Sequence, residues 1–243
     1  METENGYATQ FLQYMATGVE LNNTGQHEAA LAVRFEAFAL ASSDTLDAGR
    51  AARDISHSLM RIGDITLADA YAEYAVHTHE DTWDRGDTGA EREYRASVGH
   101  MGTLALRRAM LSEATDTFDA LAAREARDYL TEAVGGPHDD QYTINFSGRR
   151  AVAAGLYEGE KQGRYTAREA YHLGRRSESP EFPYSTPQLS EKEHAAARRK
   201  GMIRGVAAYA VSVLANVTTP VAEEAPKYGL RRKAALAIAS RII

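Results

Sequence analysis

Four short stretches of this chain gather side chains able to do acid–base, phosphate or metal chemistry. In Arg95-Ala-Ser-Val-Gly-His100 a fixed cation stands about one and a half helical turns before a titratable imidazole. Such a pair could move a proton near neutral pH and stabilise charge building on an oxyanion. His77-x-His79-Glu80-Asp81 collects imidazoles and carboxylates that could hold a surface metal, although adjacent donors on one stretch more often make a solvated turn. Glu169-x-x-His172 and Glu191-x-x-His194 each set a carboxylate and an imidazole three residues apart, on one face of a helix. The chain has no cysteine, which excludes disulfides, thiolate metal sites and thiol nucleophiles. It also carries no phosphate loop, dinucleotide fingerprint, serine-nucleophile elbow or zincin motif.

Three of these stretches are similar to the motifs of known families. Arg95 to His100 resembles the arginine–histidine motif of the helical HEPN-type ribonucleases. There the two residues act on a scissile phosphate at a dimer interface, which implies, as an alternative reading, a helical RNA-cleaving or RNA-binding protein. The helix register given below places Val98 and Gly102 in a packed first helix, which accounts for the segment without catalysis, so no catalytic residue is assigned. The Glu-x-x-His pairs resemble half of the metal set of ferritin-like di-iron bundles. Such a site needs a glutamate from each of two further helices, and Glu158 with Glu160 supplies only one. Glu191 moreover falls in the first turn of its helix, where a carboxylate suits the dipole. Neither a metal nor a cofactor is expected.

Charge is unevenly spread. Residues 1–120 hold 9 Arg against 20 Asp+Glu, a net −11, and residues 121–243 hold 19 Lys+Arg against 14 Asp+Glu, a net +5. Drift in surface composition accounts for this; the functional alternative is a polar molecule whose ends meet different partners or stack head to tail. The basic runs Arg198-Arg199-Lys200-x-x-x-Arg204 and Arg231-Arg232-Lys233 have little aromatic interleaving. They are expected to be exposed helical faces rather than a nucleic-acid surface. The most apolar stretch, 206–217, is short of a bilayer span and includes Ser212 and Asn216, so no membrane partner is expected. The acidic start Met-Glu-Thr-Glu-Asn lacks the basic and apolar regions of a signal peptide, which points to a cytoplasmic location.

The elements that must position these groups are helices. Apolar residues recur at helical spacing in Phe11, Leu12, Met15, Val19; in Leu31, Phe35, Phe38; and in Ile55, Leu59, Ile62, while strand-like alternation is missing. Three segments share their offsets: Gly18, Leu21, Gly25, Ala30, Ala37; Ser56, Leu59, Gly63, Ala68, Ala75; and Gly102, Ala105, Ala109, Ala114, Phe118, Leu121. A small residue on the first helix admits the second, Gly25 and Gly63 allow a tight turn with positive φ, and the alanines keep the crossing close.

This pattern resembles the tetratricopeptide repeat, a helix–turn–helix unit of about 34 residues. The likeness spans the first half of the chain and departs from the family in three ways. The family's aromatic on the second helix is Arg34 in one unit and Ala72 in the next, no proline closes a unit, and the spacing is irregular. The extra residues between the second and third units, including His77, His79, Asp81, Trp83, Arg85, Gly86, Asp87 and Gly89, are expected to form a loop.

Beyond this, Gly135-Gly136-Pro137 should end one helix, and a hairpin should run from about Gln141, turn at Gln162-Gly163-Arg164 and return. Gly155, Gly159 and Gly163, like Gly201 and Gly205, flatten a helical face for close packing. Residues 177–189, with three prolines, should be irregular. Ser190-x-x-Glu193 is a capping box, and 227–243 reads as an amphipathic capping helix. The expected fold is therefore all-α: a right-handed tetratricopeptide-like α-solenoid of about ten helices, in which 1–134 form three repeat units and 135–243 form divergent hairpins. The resemblance implies a protein-binding scaffold or adaptor whose concave groove, lined by first helices, takes a protein or peptide partner. Groove candidates in this register are Asn22, Arg53, Arg61 and Arg95, and the C-terminal half offers surfaces for oligomerisation.

Overall fold

A computed structural model of the chain describes residues 2–43, 45–114, 119–135 and 141–158, with a few positions between 162 and 170. Among these residues there are helices and no strands: α1 (Glu2–Asn23), α2 (His27–Leu40), α3 (Leu46–Ile62), α4 (Ile65–Asp84), α5 (Ala90–Ala114), α6 (Ala120–Val134) and α7 (Gln141–Glu158). The irregular stretch 177–189, the helix from Ser190, His172, the Glu191/His194 pair and the segment 227–243 lie outside the described residues. No described helix is long and apolar enough to cross a membrane.

Local chemistry explains most boundaries. Gly25 and Gly63 both stand at positive φ, +81° and +103°, as the expected turns require. Gly63 closes α3 in the left-handed conformation, and its N–H donates to the Leu59 carbonyl. Thr45, Asp64 and Asp119 each accept a hydrogen bond from the backbone N–H three residues on, capping α3, α4 and α6. Gly135 follows α6, and α7 opens at Gln141, both as expected.

Two expectations are corrected. Residues 77–84 are not loop: α4 runs on to Asp84, and the chain leaves helix only over residues 85–89, where Gly86 and Gly89 take positive φ. The run from Ala75 to Asp84 contains no glycine or proline, so nothing stops the helix earlier. Ala109, which holds the turn offset of Gly25 and Gly63 in the third segment, does not turn the chain either and lies inside α5. Alanine there, unlike glycine, has no freedom to reverse the backbone and extends the helix instead.

The chain forms two compact units, Met1–Leu104 and Ala105–Ile243, with the boundary inside α5. In the first unit α1 packs on α2, α2 on α3 and α3 on α4, successive helices being neighbours. Their seams are small: Ala30, Ala37, Ala51, Ala52, Ala68 and Ala75 are fully buried, so backbones approach closely, while Phe11, Met15, Ile55 and Leu59 fill the remaining volume. In the second unit α6 packs on α7, and Ala109, Ala122 and Ala123 form a core with Leu156 against it. Leu130 and Phe146 are buried there, as is Gly155, in keeping with its expected role as a flat packing face.

Candidate functional site

The interior of the first unit is not only alanine. On α5, Glu93, Ser97 and His100 follow at i, i+4 and i+7, a single buried stripe. On α3, Gly49, Arg53 and Ser56 repeat that spacing, and α4 contributes His79. These residues meet in a polar seam joining three helices.

Glu93, 2% exposed, receives Arg53 at 2.8 Å and Arg50 at 3.0 Å, one guanidinium on each carboxylate oxygen. Burial by itself pushes this carboxyl up, but the two arginines, Arg53 foremost, outweigh it and hold the pKa at about 2. Arg53 also donates to the Glu93 carbonyl at 3.3 Å.

His79 is completely buried. Its Nε2 lies 3.2 Å from the Leu46 carbonyl, which can only accept, so Nε2 carries the proton and Nδ1 accepts from the Ser97 hydroxyl at 2.8 Å. The ring is therefore neutral. Burial first, and Arg53 second, lower its pKa to about 4, against a smaller opposing pull from Glu93. The space for this ring is made by Gly49, where a Cβ would stand 2.7 Å from the imidazole Cδ2.

Ser56, also fully buried, gives its proton to the Ala68 carbonyl at 2.6 Å, so His100 Nε2–H donates to the Ser56 oxygen at 2.7 Å. Neither serine–histidine pair is open to a substrate: Ser56 and Ser97 are 0% exposed and His100 is 6% exposed. A further buried guanidinium, Arg34, joins α2 to α3 through the Asp54 carbonyl at 2.8 Å and the Ser58 hydroxyl, with the Asp54 carboxylate 3.7 Å away. Gly18 makes room for Arg34, since a Cβ there would sit 3.0 Å from its side chain.

The outer edge of α3 presents a different stripe. Arg50, Asp54, His57 and Arg61 follow at i, i+4, i+7 and i+11, and each reaches solvent. Arg50 is held from beneath by Glu93 and from the side by Asp47 at 3.2 Å. The His57 ring lies 5.8 Å from that of His100.

The expected groove residues fall in four settings. Asn22 is half-buried at the end of α1, 2.8 Å from His27 Nδ1. Arg53 is buried and committed to Glu93. Arg61 is exposed in the last turn of α3. Arg95 is half-buried, and its Nε and Nη2 both bond Glu91 Oε1, at 3.1 and 3.0 Å. Arg95 and His100 are not brought together: five residues apart on one helix, they point about 140° from each other. His77 is exposed beside Glu80 while His79 faces inward, so the adjacent donors do not converge, and no group of three metal-binding side chains occurs among the described residues. Glu169 is paired with Arg150 at 3.8 Å.

The polar seam was not foreseen in the sequence. Its signal was there in the spacing: Gly49, Arg53, Ser56 and Glu93, Ser97, His100 are polar or small at positions where a packed amphipathic helix normally carries large apolar residues. Compared with protein-family models and with curated proteins, the sequence matches none.

Proposed function

We propose that this chain is a protein-binding scaffold built as a tetratricopeptide-like solenoid, about ten helices in a right-handed stack, working in the cytoplasm. The observation that carries the proposal is the α3 stripe. Arg50, Asp54, His57 and Arg61 form a mixed-charge row along a first helix, the element that lines the groove in arrays of this kind. The row stands on a polar seam that fixes the rotation of α3 against α4 and α5, since turning α3 would leave Glu93, Arg53 and His100 buried without partners. A rigid row of alternating charge recognises a peptide of complementary pattern and pays little ordering entropy on binding. The glycine turns at Gly25 and Gly63 repeat the same hairpin, which supports the repeat reading. RNA cleavage by Arg95 and His100 gains no support from their geometry.

The test is site-specific photo-crosslinking in cells from position 61, with the exposed position 124 as control. A scaffold of this design yields discrete protein adducts from position 61 that a charge change one turn away on the same row, His57→Glu, abolishes. Adducts that are equal at both positions, or indifferent to that substitution, count against the groove.

A further inference from the structure

The second helices of the first unit carry a surface that the groove does not use. Phe35 and Phe38 on α2 meet Tyr71 and Tyr74 on α4 in an unbroken row of edge-to-face contacts. Ring centroids are 5.9 Å apart for Phe35–Tyr71, 6.0 Å for Phe38–Tyr71 and 5.5 Å for Phe38–Tyr74, with interplanar angles of 66° to 81°. The Tyr74 hydroxyl donates to the Ser43 carbonyl, which anchors one end. At the other end the row opens to water: Phe35 is 37% exposed and Leu67, one turn before Tyr71, is 41% exposed. Four rings in fixed mutual orientation are a pre-organised apolar surface, and edge-to-face packing leaves ring faces able to receive a cation.

The field around this row has one sign. α4 contains no lysine or arginine, and α2 contains only Arg34, which is buried and engaged with Asp54 and Ser58. The outward positions flanking the rings carry Glu36 on α2 and Glu73 on α4, both exposed. Farther along the ring stripes stand Glu28, two turns before Phe35, and Asp81, two turns after Tyr74, both exposed. An exposed Phe35 and Leu67 beside half-buried rings, inside an acidic border and with no exposed Lys or Arg on either helix, complement a ligand that is both cationic and apolar.

We propose that the α2/α4 face is a second binding surface, and that it takes an arginine-rich amphipathic segment of a partner protein. The apolar side of the segment covers Phe35 and Leu67, its guanidinium groups stack on Tyr71 or pair with Glu36 and Glu73, and its affinity falls with salt. This surface is separate from the α3 stripe, so the inference stands or falls independently of the groove.

The test is fluorescence anisotropy of a labelled amphipathic Arg/Leu peptide titrated with the full-length chain, beside the same peptide with each Arg replaced by Glu. Saturable binding of the Arg peptide alone is expected, weakening at least ~10-fold between low and high salt. Phe35→Ala with Leu67→Ala, which leaves net charge unchanged, should weaken it by ~10-fold or more, each such factor being a modest free-energy change. Glu36→Lys with Glu73→Lys, at exposed positions, should do the same, and Arg124→Gln, an exposed site on α6, should have no effect. Three results overturn the proposal: no saturable binding; binding that survives loss of Phe35 and Leu67, which means diffuse charge attraction; or self-association of the chain through this face with no uptake of peptide.

Discussion

Gly49 and His79 compete for one volume. In an exposed helix Gly→Ala stabilises by about 0.5–1 kcal/mol through propensity. At position 49 the added carbon would overlap the imidazole of His79, which is held from both sides by Leu46 and Ser97 and has nowhere to move. Gly49→Ala should therefore destabilise the chain by about 1–3 kcal/mol, against its propensity. The measurement is a double-mutant cycle in urea: with His79→Ala the Gly49→Ala cost should vanish or reverse, and additive costs would show that the two do not touch. Arg95 and His100 invite a separate check. Their separation around α5 and their ties to Glu91 and Ser56 lead us to expect that purified protein leaves single-stranded RNA intact, with or without divalent metal. Cleavage that Arg95→Ala abolishes would establish the ribonuclease reading instead.

Among the elements, the two glycine turns are the sharpest feature. Gly63 at φ +103° ends α3, and a Cβ there meets no neighbour within 4 Å, so any penalty on substitution is conformational rather than steric. Gly63→Ala should cost about 1–2 kcal/mol, the price of a left-handed non-glycine residue, and Gly63→Asn less, because asparagine tolerates that region. Thermal melts of the two variants give the order, and equal losses would mean that the αL cap is not what terminates α3. α5 shows the converse. With alanine rather than glycine at position 109 it runs unbroken from Ala90 to Ala114, and the third segment of the small-residue pattern does not turn there.

Acid stability belongs to the whole molecule, because one seam holds α3, α4 and α5. His79 has a pKa near 4 in the folded chain against 6.5 unfolded. Above pH 6.5 both states hold it neutral and its contribution is fully present. Between pH 6.5 and 4 the unfolded chain takes up a proton that the folded one refuses, so stability falls, by on the order of 3 kcal/mol in total. Glu93, at about 2 folded against 4.5 unfolded, has the same sign in a lower window: its contribution is complete above pH 4.5 and is lost as pH drops towards 2. Urea midpoints should accordingly fall in two stages on acidification. His79→Gln should flatten the stage between pH 6.5 and 4 and leave the lower one. A variant whose midpoint keeps the wild-type slope in the upper window would show that another group governs it.

The sequence by itself determined what is local. Helical periodicity, the turns at Gly25 and Gly63, the end of α6 before Gly135 and the start of α7 at Gln141 depend on a few adjacent residues whose backbone preferences act without help from the rest of the chain. The buried alanines Ala30, Ala37, Ala68 and Ala75 were legible for the same reason, since small residues at helical spacing mark a close crossing. The loop expected around His77 and Trp83 failed because it was inferred from repeat length, and no residue there breaks a helix. Only the tertiary structure decided which polar groups meet. Arg53 and Glu93 stand 40 residues apart and Ser56 and His100 stand 44 apart, and their pairing follows from how α3, α4 and α5 are rotated about their axes. No local preference encodes that rotation. It is set by the requirement that every buried charge and hydroxyl find a partner at once, a condition that exists only when all three helices are packed.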